Sequence, residues 1–152
     1  MKKPHQKPEA AAPVLTIDQM HAFLDEVFPQ LGGKDNRAFI VEDISPMAAR
    51  VRMAYHNRQL RPGGTISGPA MFTLADLSIY IAILGQIGPV GHCVTTSLNI
   101  NFLAKPEPRD LIAHCHVLKI GKRLAIAEVS LFSDGSEDLV AHATGTYSIP
   151  SH

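Results

Sequence analysis

From Pro69 to Ile87 the chain reads PAMFTLADLSIYIAILGQI, and Asp76 is its one side chain charged at neutral pH. The uncharged surroundings are wider still. Between Arg61 and Lys105, leaving His92 aside, Asp76 stands alone. Ser67 or Gly68 can cap a helix here, with Pro69 in the first turn, where a missing N–H costs nothing. The helix is expected to run to about Leu84, where Gly85, Gly88 and Pro89 stop it; at 1.5 Å per residue it would be about 25 Å long. Being apolar nearly all round, it has no face to give to water and must be wrapped by other structure. A membrane-spanning helix would need about 20 clean apolar residues. Asp76, Gln86, Pro89 and four glycines (Gly68, Gly85, Gly88, Gly91) break that run, which points to the buried helix of a soluble protein.

The flanking residues supply the wrapping. Thr16 can cap a short helix from Ile17 to about Leu31, with Met20, Phe23, Leu24, Val27 and Phe28 on one face and Gly32-Gly33 ending it. Two strands follow, AFIVEDI from Ala38 to Ile44 and MAARVRMAYH, in which Met47, Ala49, Val51, Met53 and Tyr55 alternate with Arg50 and Arg52. After the long helix come four more strands. CVTTSLNINF places Val94, Leu98, Ile100 and Phe102 on one face and Thr95, Ser97, Asn99 and Asn101 on the other. A strand from about Arg109 to Ile120 turns through Gly121-Lys122 into RLAIAEVSLF, and Asp134-Gly135 reads as a hairpin turn. The last strand, LVAHATGTYSI, sets Leu139, Ala141, Ala143 and Tyr147 opposite His142, Thr144 and Thr146. Sequential hairpins require an antiparallel sheet. The fold class is therefore α+β, a curled antiparallel sheet around one central helix, and two such units would pair to cover what one leaves exposed.

Residues 1–15, with two lysines and interrupting prolines, read as a disordered tail, and residues 16–152 as a single domain. Fourteen basic and fourteen acidic residues cancel, which speaks against nucleic acid or an anionic membrane as the main partner. Cys93 and Cys115 are too few for a disulfide framework and suit a reducing compartment, so the expected location is the cytoplasm. His114 and His116 share a strand face, but no acidic third ligand lies near them in sequence, so no metal is expected. Gly-x-Ser-x-Gly is missed by one residue at Gly64–Gly68, and no phosphate-binding glycine loop occurs. No cofactor is called for.

Gly68 followed eight residues later by Asp76, within GPAMFTLAD, then VTTSLNINFLAKP and a strand ending in KIGKR, resembles the hotdog-fold acyl-CoA thioesterases. The likeness is greatest to the PaaI-like group related to phenylacetyl-CoA and 4-hydroxybenzoyl-CoA thioesterases, and it covers roughly Ala38 to Ile149. One departure is clear: the family usually carries histidine before that glycine, where this chain has Ser67. The resemblance implies a hotdog fold, an acyl-CoA substrate and self-association as a dimer or dimer of dimers. It also implies that Asp76 is the catalytic carboxylate and that Thr95, or Thr96 one residue on, positions water or the carboxylate. Asn57 is the loose counterpart of an asparagine that bonds the thioester carbonyl. Lys119, Gly121, Lys122 and Arg123 lie where the family holds the CoA nucleotide.

The chemistry fits those residue types. A carboxylate taken out of water without partners costs several kcal/mol, so Asp76 either lies on a solvent-facing stripe, accepts a structural hydrogen bond, or serves a function. Its apolar neighbours leave little room for such a stripe, and with the spacing from Gly68 this favours function. The carboxylate can activate water or attack an acyl carbon directly. The free N–H groups at a helix start can meet the oxyanion, and Gly68 permits close approach. Gly68 and Asp76 are two turns apart, about 12 Å along the helix, so a single site would draw them from different protomers. Two other readings compete with hydrolysis. A hydratase or dehydratase on the same fold would need a histidine, and only His56 and His92 border the loop and helix. A non-catalytic acyl-CoA binder would need no turnover at all.

Overall fold

The computed structural model describes residues 10–151. Helix α1 (Ile17–Val27) opens with a capping box: Thr16 Oγ1 accepts from the Gln19 N–H at 3.1 Å, and Gln19 Oε1 accepts from the Thr16 N–H at 2.9 Å. It ends four residues before the expected Leu31. Phe28 leaves the helical region and Pro29 has no N–H to continue the ladder, so Pro29–Leu31 form a separate 3-10 turn closed by Gly32 at φ 107°. Residues 1–9, most of the expected tail, lie outside the described residues; at its end, the Val14 N–H donates to the Gly85 carbonyl at 2.8 Å.

Strands β1 (Phe39–Ser45) and β2 (Ala48–Met53) form a hairpin whose turn holds Met47 at φ 57°. β2 stops at Met53, short of the expected end at His56, and the Tyr55 side chain is exposed. Helix α2 (Gly68–Ile87) follows, then β3 (Val94–Phe102), β4 (Leu111–Ile120), β5 (Leu124–Ser133) and β6 (Leu139–Ser148). The strands pair antiparallel throughout, in the order β1-β2-β4-β5-β6-β3. The chain thus crosses the concave face of the sheet as α2 before adding β3 at the far edge. This is the expected α+β hotdog arrangement of a curled sheet around a central helix.

The core forms where that helix meets the sheet. Leu74, Ile79, Ile81, Ile83 and Leu84 have no exposed surface and pack with Val51 of β2, Leu111 and Ala113 of β4, Val129 and Leu131 of β5, and Ala141 and Ala143 of β6. α2 continues past Leu84 through Gly85 and ends at Gly88, whose φ is 105°. At Gly145 of β6 the sheet comes so near that a Cβ would stand 2.7 Å from Ile79 Cδ1, so any larger residue there would have to displace the end of the Ile79 side chain.

Two features depart from simple alternation. The Asp134-Gly135 pair lies in a five-residue connection, 134–138, with Gly135 at φ 80°. A register shift at the start of β6 buries Val140 and leaves Leu139 exposed, the reverse of the expected inner Leu139.

One sheet does not cover the whole helix. Pro69, Phe72 and Thr73 are exposed and Asp76 is half-buried, a stripe at helical spacing along the first two turns of α2. The edge strand β3 lies open as well, with Val94 56% and Phe102 50% exposed. The expectation of a helix buried all round therefore holds only from Leu77 to Gly85.

Candidate active site

Asp76 sits where the uncovered stripe of α2 meets β3 and β6. The Thr95 hydroxyl donates to Asp76 Oδ1 at 2.7 Å. The Tyr147 hydroxyl lies 2.7 Å from the same oxygen and 2.9 Å from the Asp76 backbone carbonyl. Oδ2 has no hydrogen bond among the described residues and is not among their buried unpartnered atoms. One carboxylate oxygen is thus held and the other is open.

A bulge makes this possible. Strict alternation places Thr95 with Ser97, on the face away from Leu98. In β3, however, Thr95 pairs with Tyr147 and Ser97 with the next residue back, Thr146, leaving Thr96 as an extra residue. The insertion shifts the phase, so that Thr95 and Leu98 both face the helix. Thr96 spends its hydroxyl on the Thr146 carbonyl at 3.2 Å, so of the two threonines it is Thr95 whose hydroxyl reaches Asp76.

Tyr147 was missed in the sequence, where it reads as one more inward apolar residue of the last strand. Its phenol was the available signal, since a buried tyrosine hydroxyl needs a partner. Burial pushes the Tyr147 hydroxyl far above the ordinary tyrosine range; a hydrogen bond with Thr95 pulls it down, and the charge and hydrogen bonding of Asp76 raise it further. Tyr147 therefore keeps its proton and remains able to donate. Its ring leans on Tyr80 with centroids 6.2 Å apart, and the Tyr80 hydroxyl donates to the Gly91 carbonyl at 3.1 Å.

These groups open on a cleft of about 610 Å³. Val27, Phe28 and Leu31 wall it from α1 and its 3-10 turn, Leu77 and Tyr80 from α2, and Cys93 and Val94 from the start of β3. The burial of Cys93 raises its thiol above the ordinary range, so it stays a neutral wall residue.

The other expected residues lie apart from Asp76 within one chain. Gly68 lines two depressions at the helix start, one with Arg61, Met71 and Phe102 and one with Phe72 and Ile100; neither contains Asp76. Gly68 is the first helical residue and its N–H has no acceptor among the described residues. Ser67, in the place where the family usually has histidine, caps α2 by accepting from the Ala70 N–H at 3.3 Å. Asn57 begins an exposed 3-10 turn, Asn57–Gln59, docked on the helix start because the Ser67 N–H donates to the Gln59 carbonyl at 2.8 Å. It belongs to the Gly68 end.

Lys119, Gly121, Lys122 and Arg123 do come together, around a depression of about 380 Å³ at the β4–β5 turn. Leu124, Ser148 and Val94 are in register across β5, β6 and β3. That row puts the turn two strand spacings, about 10 Å, from the residue next to Thr95. On the outer face, His114 Nε2 lies 3.2 Å from the Arg50 guanidinium, a neighbour unfavourable to a metal ion.

The family model of the thioesterase superfamily matches residues 63–140, half of the chain, and spans Gly68, Asp76, Thr95 and the β4–β5 turn. The chain belongs to the thioesterase superfamily. By class it is a thioester hydrolase. A "putative thioesterase" of Silicibacter sp. TM1040 is 41% identical, over 91% of this chain and 94% of that one, with a TM-score of 0.80. A "putative esterase" of Pseudomonas aeruginosa is 33% identical over 66% of this chain and 74% of its own length. A single-residue mutant of the phenylacetic acid degradation protein PaaI from Thermus thermophilus is 22% identical, over 85% of this chain and 99% of that one; its TM-score of 0.65 shows the shared fold. Within this superfamily the long apolar helix is the core helix of the hotdog fold.

Proposed function

We propose that this thioesterase hydrolyses acyl-CoA to the free acid and CoA, with Asp76 as the reacting carboxylate. The observation that carries the reading is the half-buried Asp76, one oxygen bound to Thr95 and Tyr147 and the other open at an apolar cleft. Acting as a base, Oδ2 takes a proton from water while the water oxygen bonds to the acyl carbon. The C–S bond then breaks and the departing sulfur leaves with a proton as free thiol. Acting as a nucleophile, Oδ2 bonds to the acyl carbon as the C–S bond breaks and CoA leaves as thiolate, and water then hydrolyses the mixed anhydride to the free acid, restoring the Asp76 carboxylate. Both routes need a donor for the carbonyl oxygen, and the free Gly68 N–H at the positive end of α2 suits it.

Because Gly68 and Asp76 are apart in one chain, the site is assigned to a homodimer, each centre taking Asp76 from one copy and Gly68 from the other. Asn57, at the Gly68 end, is assigned to the thioester carbonyl. Exposed Phe72, Val94 and Phe102 supply apolar surface for the pairing. The cleft walled by Phe28, Leu31 and Tyr80 is assigned to a small, medium or aromatic acyl group, and Lys119, Lys122 and Arg123 to the CoA phosphates. The reaction is placed in the cytoplasm, where acyl-CoA and reduced thiols occur together.

A thiol-release screen over short, long and aromatic acyl-CoAs tests this, with Asp76→Asn as the variant. Expected is turnover of at least one class and a loss of several orders of magnitude in Asp76→Asn; undiminished turnover in that variant rules the mechanism out. Tight binding without turnover across the screen would instead mark a non-catalytic binder. Hydratase chemistry would need a histidine at the carboxylate: His92 does not line the Asp76 cleft, and His56, at the Gly68 end, has its Nδ1 occupied by the Arg58 N–H at 3.1 Å. A crotonyl-type thioester that gains water without releasing thiol would support that reading instead.

A further inference from the structure

We propose that Tyr147 is a positioning residue that, together with Thr95, decides which oxygen of Asp76 reacts. This rests on the reading of Asp76 as the reacting carboxylate. A carboxylate has two equivalent oxygens and rotates about its last torsion with little preference, so an unheld Asp76 would present either one, at varied angles. Here both hydroxyls converge on Oδ1, each at 2.7 Å. Two donors on one oxygen fix the plane of the group and leave the lone pairs of Oδ2 directed to the cleft.

The arrangement is built into the fold rather than left to surface side chains. Thr95 and Tyr147 are cross-strand partners in register, and the bulge at Thr96 turns Thr95 inward to meet the tyrosine. Tyr147 is 4% exposed and wedged against Tyr80, whose hydroxyl is tied to Gly91. Its hydroxyl also lies 2.9 Å from the Asp76 carbonyl, so its one proton is shared between backbone and side chain of the same residue, with Oδ1 the nearer acceptor. A phenylalanine would fill the same space, yet the chain places a phenol here.

The test is steady-state thiol release from a turned-over acyl-CoA by Asp76→Asn, Tyr147→Phe, Thr95→Val and the Tyr147→Phe/Thr95→Val double variant, with melting temperatures for each. Removing one of two donors to a charged group is expected to lower kcat about tenfold, with KM changed less than about twofold because neither hydroxyl is assigned to the substrate. Since either hydroxyl alone keeps one hold on Oδ1, the double variant is expected to lose more than the product of the single losses. A Tyr147→Phe protein that melts earlier but keeps its kcat would show a purely structural tyrosine and overturn the proposal. So would a rise in KM at constant kcat, or a double variant that merely multiplies the single effects. Should Tyr147→Phe not fold, Thr95→Val at the exposed edge decides alone, and an unchanged kcat there overturns the shared hold. If Asp76→Asn abolishes turnover while Tyr147→Phe is silent, only the tyrosine assignment falls. If Asp76→Asn is itself silent, the proposed function falls with it.

Discussion

Ile44 of β1 packs so tightly on Gly85 of α2 that a Cβ at Gly85 would stand 2.7 Å from Ile44 Cγ2. Two effects oppose each other in Gly85→Ala. Alanine is the better helix former by about 1 kcal/mol, whereas forcing a methyl into filled space costs about 1–3 kcal/mol. The contact is with Ile44 Cγ2, which is bonded directly to Cβ and is not the far end of a flexible side chain, so overpacking wins. Gly85→Ala is expected to lower stability by about 1 kcal/mol, a fall of roughly 3 °C in a domain of this size. Ile44→Ala removes the offending methyl, and the double variant should be less damaged than the sum of the two. A stabilised Gly85→Ala would show that β1 yields.

That glycine also marks how far the sequence could be read. Its residue type suggested a helix stop after Leu84, but α2 runs on for three more residues, to Ile87, because Gly85 is there for packing, not for conformation. The order of elements, the antiparallel sheet and the central helix were legible, because period-2 and all-apolar segments leave few alternatives. Asp76 was legible for the same reason, as the single break in the pattern. What escaped were features that depend on partners distant in sequence. The Thr96 bulge exists only through pairing with β6, and with it the inward turn of Thr95 and the role of Tyr147. Likewise, the exposed stripe of Pro69, Phe72 and Thr73 is decided by where a single sheet ends, which helical periodicity cannot show.

Acid should destabilise the protein in two stages. Burial, then Arg37, holds His21 below its ordinary range, and burial, then Arg50, does the same for His114. Asp25 is lowered by its hydrogen bonds from Arg37, and Asp134 by those from Arg52. For Glu42 burial pushes upward, but hydrogen bonds from Arg50 and Arg52 outweigh it and the net shift is down. In each case the unfolded chain takes its proton at the higher pH, so stability is full above the unfolded value and declines as pH falls. The decline begins near pH 6.5 with the histidines and steepens below about pH 4.5 with the carboxylates. Denaturant melts between pH 3 and 8 check this. Arg52→Met should flatten the lower stage and leave the upper one, and an acid limb identical to wild type would exclude the Arg52 cluster as its source.

Gly68→Ala separates the helix start from the fold. The backbone there is not in the left-handed region, and an added Cβ would meet only the exposed Phe102 ring, 3.3 Å from its Cζ. That ring can move by a few tenths of an ångström, so stability is expected to change by no more than about 0.5 kcal/mol. Turnover is another matter, because the methyl would crowd the N–H assigned to the oxyanion. A loss of about tenfold or more in kcat is expected, read from thiol release beside a melting curve. Full activity with an intact fold would move the oxyanion donor away from this helix start.

Phe28 tests the assignment of the cleft. It stands at the end of α1, where Pro29 forces the chain out of the helix, and it is 39% exposed although it walls the same cleft as Asp76. A large apolar side chain left that open gains little from the fold, since the surface it hides is modest. Covering by an acyl group would bury the remainder. Phe28→Ala is therefore expected to leave melting nearly unchanged while lowering kcat/KM about tenfold for the larger or aromatic acyl-CoAs that reach the ring, and to spare the shortest chains. The check is the ratio of kcat/KM values across a chain-length series, in variant and wild type alike. An equal loss for every chain length would mean that Phe28 supports the site without touching the acyl group, and the acyl pocket would then have to lie on the Gly68 side of the helix.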